Sequence, residues 1–136
     1  MKIWYGYGSE HSMNLVMIGR FQDVGDAEKA KQVIEWLTAQ VEADVQAGRV
    51  KVGDQTDRFP TGMLDLLSQL NINTIGATEL EQFTYDVNVR VEDNQIIMTT
   101  NEIDVSAFLK VLIEKGARVE IYSAHNYSDT KYGRGK

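Results

Sequence analysis

Along the chain, short stretches with an apolar residue at every second position alternate with longer ones whose apolar residues recur every third or fourth. The first clear strand is "NLVMIGRF" (14–21), with Leu15, Met17 and Phe21 on one face and Val16 and Ile18 on the other. The pattern then turns helical. In "DVGDAEKAKQVIEWLTAQVEADVQAG", Ala27, Ala30, Ile34, Leu37, Val41 and Val45 line one helix face, Asp23 or Asp26 can cap its start, and Gly48 sits where a helix stops. "RVKVGDQTDRFPTG" (49–62) is polar, holds the only proline and reads as a long mobile connection. A short amphipathic helix, "MLDLLSQL" (63–70), follows, and "TELE" (78–81) has the capping-box spacing that predicts another helical turn from Thr78.

In the second half, "YDVNVRV" alternates strictly, with Val87, Val89 and Val91 on one face and Asp86, Asn88 and Arg90 on the other. Asp93-Asn94 is a two-residue turn leading into the partner strand "IIMTTN", because both residue types tolerate positive φ. Asp104 then caps "VSAFLKVLIEKG", a helix presenting Val105, Phe108, Leu109 and Leu112 and ending at Gly116, before the strand "ARVEIYS" (117–123) with Val119 and Ile121 inward.

The order of elements predicts an α+β, two-layer sandwich of the ferredoxin-like split-βαβ kind (β-α-β-β-α-β) with an inserted short helix. "KIWYGY" (2–7) adds an N-terminal strand without a fixed place. One domain spans 1–126, with 49–62 as a loop inside it and 127–136 as a basic, flexible tail.

Composition narrows the function classes. With 136 residues and 43% hydrophobic content, the chain can bury a core without staples. It has no cysteine, which removes disulfides, thiolate metal sites and cysteine nucleophiles. The start lacks a signal-peptide core and the apolar runs are too short to span a bilayer, so a cytoplasmic address is expected. Net charge is −6, and the last ten residues hold +2 of it against −8 for the rest. An acidic body disfavours nucleic acid and anionic membranes as partners. The two central strands carry one aromatic between them, too few for a base-stacking platform. Walker A, G-x-S-x-G and H-E-x-x-H spacings are absent, and "GYGSEH" lacks the third glycine of a nucleotide loop.

In a plait ordered 4-1-3-2, the start of the first strand lies beside the ends of the fourth and third. That order would bring the only two histidines, His11 and His125, to one sheet edge with Glu10, Glu102, Asp104 and Asp129. Two imidazoles with Glu10, Glu102 or Asp129 form a candidate divalent-metal site. Alternatively, His11 and His125, with Glu10, could act as acid and base in phosphodiester cleavage, with Ser9, Ser12, Tyr127, Lys131 and Arg134 around the phosphate. The acidic surroundings suit the metal better, and histidines at strand ends are also ordinary turn residues.

No motif requires a cofactor. The aromatics gather at the termini, and Trp4, Tyr5, Tyr7, Tyr122 and Tyr127 form a candidate partner-binding patch. A one-sided sheet with Met17, Ile97 or Val16 on its uncovered face needs a cover, and a second copy of the chain is an economical one. The leading expectation is a protein-binding or assembly module that forms a homodimer. The two-histidine hydrolase or metalloprotein is the alternative, and a small-molecule sensor with 49–62 closing over a cleft is the third.

Overall fold

The computed structural model describes residues 13–53 and 58–124. It is an α+β structure with four strands, β1 (Leu15–Arg20), β2 (Val87–Glu92), β3 (Gln95–Thr100) and β4 (Arg118–Ser123). Its helices are α1 (Val24–Gln46), α2 (Thr61–Leu70), a 3-10 helix (Ala77–Thr84) and α3 (Ser106–Glu114). The sheet runs β2-β3-β1-β4, with every neighbouring pair antiparallel.

Strand alternation divides the sheet into two faces. Leu15, Met17, Ile96 and Met98 point to the helices and are buried, joined there by the half-buried valines of β2 and Val119 of β4. Helix α1 meets them with Ala27, Ala30, Ile34, Leu37 and Val41, and α3 with Ala107, Phe108, Val111 and Leu112. Phe83 of the 3-10 helix packs on Phe108 with ring centroids 5.0 Å apart, a tilted contact of the favourable kind. Burying side chains of this size contributes about 1.5–3 kcal/mol each, so this layer supplies most of the driving force.

Helix α1 ends where the residue pattern ends it, with Gly48 at φ +79°. Asp23 precedes the first turn without a side-chain hydrogen bond to it. The segment 49–62 is shorter as a connection than its polarity suggests. Val50 is buried, Phe59 packs against the core, and α2 already begins at Thr61; residues 54–57 lie outside the described part. The β2–β3 turn places Asp93 at φ +54°. Asn94 then fastens this turn to the end of β1, donating from its side chain to the Phe21 carbonyl (2.6 Å) and accepting from the Phe21 N–H (2.9 Å).

Three expectations are corrected. Met17 belongs to the helix-covered face and is fully buried, since it shares its parity with Leu15. Asp104 does not cap α3: Val105 precedes the helix, and the cap comes from another element altogether. The helical turn at "TELE" begins at Ala77, with Gly76 rather than Thr78 in front of it.

Candidate functional site

The face of the sheet turned away from the helices carries no described helix or strand. Register sets its side chains in three rows of four, counted from β2 through β3 and β1 to β4. The first row is Asn88, Thr99, Val16 and Tyr122; the second is Arg90, Ile97, Ile18 and Glu120; the third is Glu92, Gln95, Arg20 and Arg118. Val16, Ile18, Ile97 and Thr99 are half-buried in the middle of this face. Two exposed ion pairs flank them, Arg20 to Glu120 at 3.2 Å and Arg90 to Glu92 at 2.7 Å. At the end where β1 begins, Asn14, Asp86, Asn88, Thr99, Thr100 and Asn101 line a polar hollow of about 340 Å³. The face is thus graded from amide-rich through aliphatic to charged.

The helix side holds a polar cluster that resembles chemistry more closely. Glu79 accepts from the Gly76 N–H and from Lys110, both at 2.7 Å, and from the Ser106 hydroxyl. Ser106 in turn accepts from the Gln82 amide (3.0 Å), whose oxygen takes the Ala107 N–H at 2.7 Å. Burial alone would push the Glu79 carboxyl up; the hydrogen bonds from Gly76, Lys110 and Ser106, with the Lys110 charge, outweigh it and hold the group below the usual range. A carboxylate so stabilised is a poor base, and none of the described cavities is lined by it. Its role is structural. Gln82 supplies the helix cap that Asp104 was expected to give, because a 3-10 helix packed across the start of α3 can reach N–H groups that a preceding loop does not.

Two further carboxylates act alike. Glu114 of α3 accepts from the N–H groups of Asn73 (3.0 Å) and Thr74 (3.1 Å) and from the Thr74 hydroxyl (2.5 Å). Burial raises its pKa and these bonds, with Lys115, lower it further, leaving it below the ordinary value. Lys115 reaches the Leu70 carbonyl, so the end of α3 closes the end of α2. Asp44, among the charged residues late in α1, is fully buried. Its Oδ1 accepts from Arg49 at 2.8 Å and Gln40 at 3.2 Å, while Oδ2 has no partner. The neighbouring cleft between α1 and α2, about 400 Å³, is lined by Trp36, Ala39, Ala43, Leu66 and Leu70 with two glutamines, and offers no titratable group.

Of the residues singled out from the sequence for a site, the structure describes Glu102, Asp104 and Tyr122, and Asp104 is exposed. Glu102 is exposed just after β3, and Tyr122 is half-buried on the open face. His11, His125, Glu10, Asp129, Trp4, Tyr5, Tyr7 and Tyr127 lie outside the described residues. The strands that they precede or follow in the chain, β1 and β4, are described. Leu15 pairs with Thr100 on one side and Ser123 on the other, and the Ala124 N–H donates to the Asn14 carbonyl at 2.7 Å. Among the described residues no group of three or more His, Asp or Glu could hold a metal ion, and no helix is long and apolar enough to cross a membrane. Missed from the sequence were Glu79 and Gln82 as cap and clasp. The TELE motif does contain Glu79, but its reading assigned the cap to Thr78 and the reciprocal bond to Glu81.

No curated protein and no solved structure matches the chain. A family model matches over residues 1–134, nearly the whole length, and the chain therefore belongs to DUF6375, a family of unknown function.

Proposed function

We propose that this chain is a small assembly module with a ferredoxin-like plait, working by association through the open face of its sheet. The observation that carries this reading is the aliphatic centre formed by Val16, Ile18 and Ile97 inside a charged border, on a face where no described element lies. A half-buried aliphatic centre with a polar rim is the anatomy of a protein interface. Tyr122, on the same face, is of a type enriched at interface hot spots. On the helix side, the two carboxylates held below their ordinary value, Glu79 and Glu114, are tied into a cap and a loop clasp.

Light-scattering mass measured from dilute to concentrated protein tests the proposal. The mass is expected to rise with concentration in the native chain and to stay at one chain in Ile97→Asp. Trp36→Ala, altered in the helix-layer cleft, is expected to behave as the native chain does. A mass of one chain at every concentration rejects self-association.

A second reading takes His11 and His125 as a divalent-metal or hydrolytic pair. What supports it is the hydrogen bond from the Ala124 N–H to the Asn14 carbonyl, between residues one and three positions along the chain from His125 and His11. Zinc titration followed by NMR is expected to perturb both imidazoles together and to lose that response in His11→Ala and in His125→Ala. Independent or absent responses reject a shared ion.

A further inference from the structure

Resting on the assembly reading, we infer that the partner on the open face is a second copy of this chain, related by a twofold axis running along the strands between β3 and β1. The argument is the order of charges across the face. Such an axis lays β3 on the partner's β1 and β2 on the partner's β4, and keeps each row opposite itself in reverse. The central row, Arg90-Ile97-Ile18-Glu120, then meets its own reversal, so that isoleucine stacks on isoleucine and Arg90 meets a glutamate. The third row, Glu92-Gln95-Arg20-Arg118, places Glu92 against an arginine and Gln95 against the other. In the first row Val16 meets Thr99, and Tyr122 meets Asn88. No like charges are opposed in any row.

The perpendicular twofold, running across the strands through the central row, is the competing arrangement. It sets Arg90 against Arg90 and Glu120 against Glu120, and like charges facing one another at an interface cost several kcal/mol. Sheets packed face to face lie about 10 Å apart with strands some 30° from parallel, a gap that aliphatic side chains fill and arginine and glutamate span. The intrachain pairs Arg20–Glu120 and Arg90–Glu92 are exposed and so contribute little that is lost when their members turn to a partner. Three rows of four outward positions are fewer than the roughly 20–30 residues a side of a standard interface, which makes this a weak, concentration-dependent dimer.

Charge reversal in the full chain tests the geometry. Sedimentation velocity over about 1–500 μM is expected to show dimerisation of the native chain, weakened about tenfold or more in Arg90→Glu and likewise in Glu120→Arg. An equimolar mixture of the two variants is expected to associate as the native chain does, because in the heterodimer one cross-chain pair re-forms with its signs reversed and the other keeps its native signs. Folding of each variant is verified by its amide NMR spectrum, and Lys29→Glu on α1 serves as a charge change away from the face. If Ile97→Asp abolishes dimerisation while the mixture fails to recover, the axis is wrong and the assembly reading stands. If the native chain stays monomeric to the highest concentration, the dimer and self-association fall together.

Discussion

The two faces of one sheet differ in how their side chains are used. On the helix side, Met17, Ile96 and Met98 are wholly buried, and the carboxylates of Glu79 and Glu114 accept from backbone N–H groups. On the open side, Ile18 and Ile97 are only half-buried, and the carboxylates of Glu92 and Glu120 pair with arginines in solvent. The lesson is that, among the described residues, the two carboxylates held below their ordinary value are poorly available for chemistry. Glu79 and Glu114 are shifted because they already accept hydrogen bonds from backbone N–H groups and neighbouring side chains, whereas Glu92 and Glu120 on the open face meet only arginines in solvent.

The contrast is broken most directly by side-chain truncation. Met98→Ala is expected to cost about 2–5 kcal/mol of stability in urea denaturation, since it leaves a cavity among packed neighbours. Ile97→Ala, one residue along the same strand, is expected to cost less than about 1.5 kcal/mol at concentrations where the chain is monomeric. Equal losses at the two positions would mean that both faces are covered alike.

Smaller in effect is removal of the borrowed cap. Gln82→Leu leaves the Ala107 N–H without its acceptor and Ser106 without one donor, for an expected loss of about 1–3 kcal/mol. Asp104→Ala, at the position a local reading favours for the cap, is expected to change stability by under about 0.5 kcal/mol. A larger loss at Asp104 than at Gln82 would restore the local cap.

The carboxylates give the comparison a pH axis. Both Glu79 and Glu114 titrate below their ordinary value of 4.5 in the folded chain, so the unfolded chain takes up protons first as pH falls. Their contribution to stability is complete above that value and is lost as pH falls through the lower folded-state values. Denaturation midpoints are expected to be flat near neutrality and to drop on the acid side. In Glu114→Gln that drop is expected to be shallower from a lower starting stability. Last and smallest, Ile121→Thr, on the exposed edge strand β4, is expected to stay within about 1 kcal/mol of the native chain, because that side chain is 45% exposed.

Much of this architecture was legible in the chain because it is local. The alternation of Val87, Val89 and Val91, the three- and four-residue spacing in α1 and the stop at Gly48 each reflect a period that neighbouring residues impose on one another. What escaped was long-range. Gln82 caps a helix more than twenty residues away, and Glu114 holds a loop some forty residues back. Asp44 resembles its exposed neighbours until the turn after α1 folds Arg49 over it. None of these pairings leaves a periodic trace, since one polar residue within a helix is compatible with many surroundings.

By itself, the sequence determined, among the described residues, which segments become strands and helices, and that the chain has no thiol chemistry. Residue type and spacing suffice for that, because steric and hydrophobic preferences act over a few residues. Tertiary structure decided that Met17 lies beneath the helices, that the carboxylates of Glu79 and Glu114 are spent on backbone donors, and that Arg90 and Glu120 end up at opposite edges of one row. Those outcomes depend on register and on strand order, which bring together residues far apart along the chain and are set only when the whole sheet pairs.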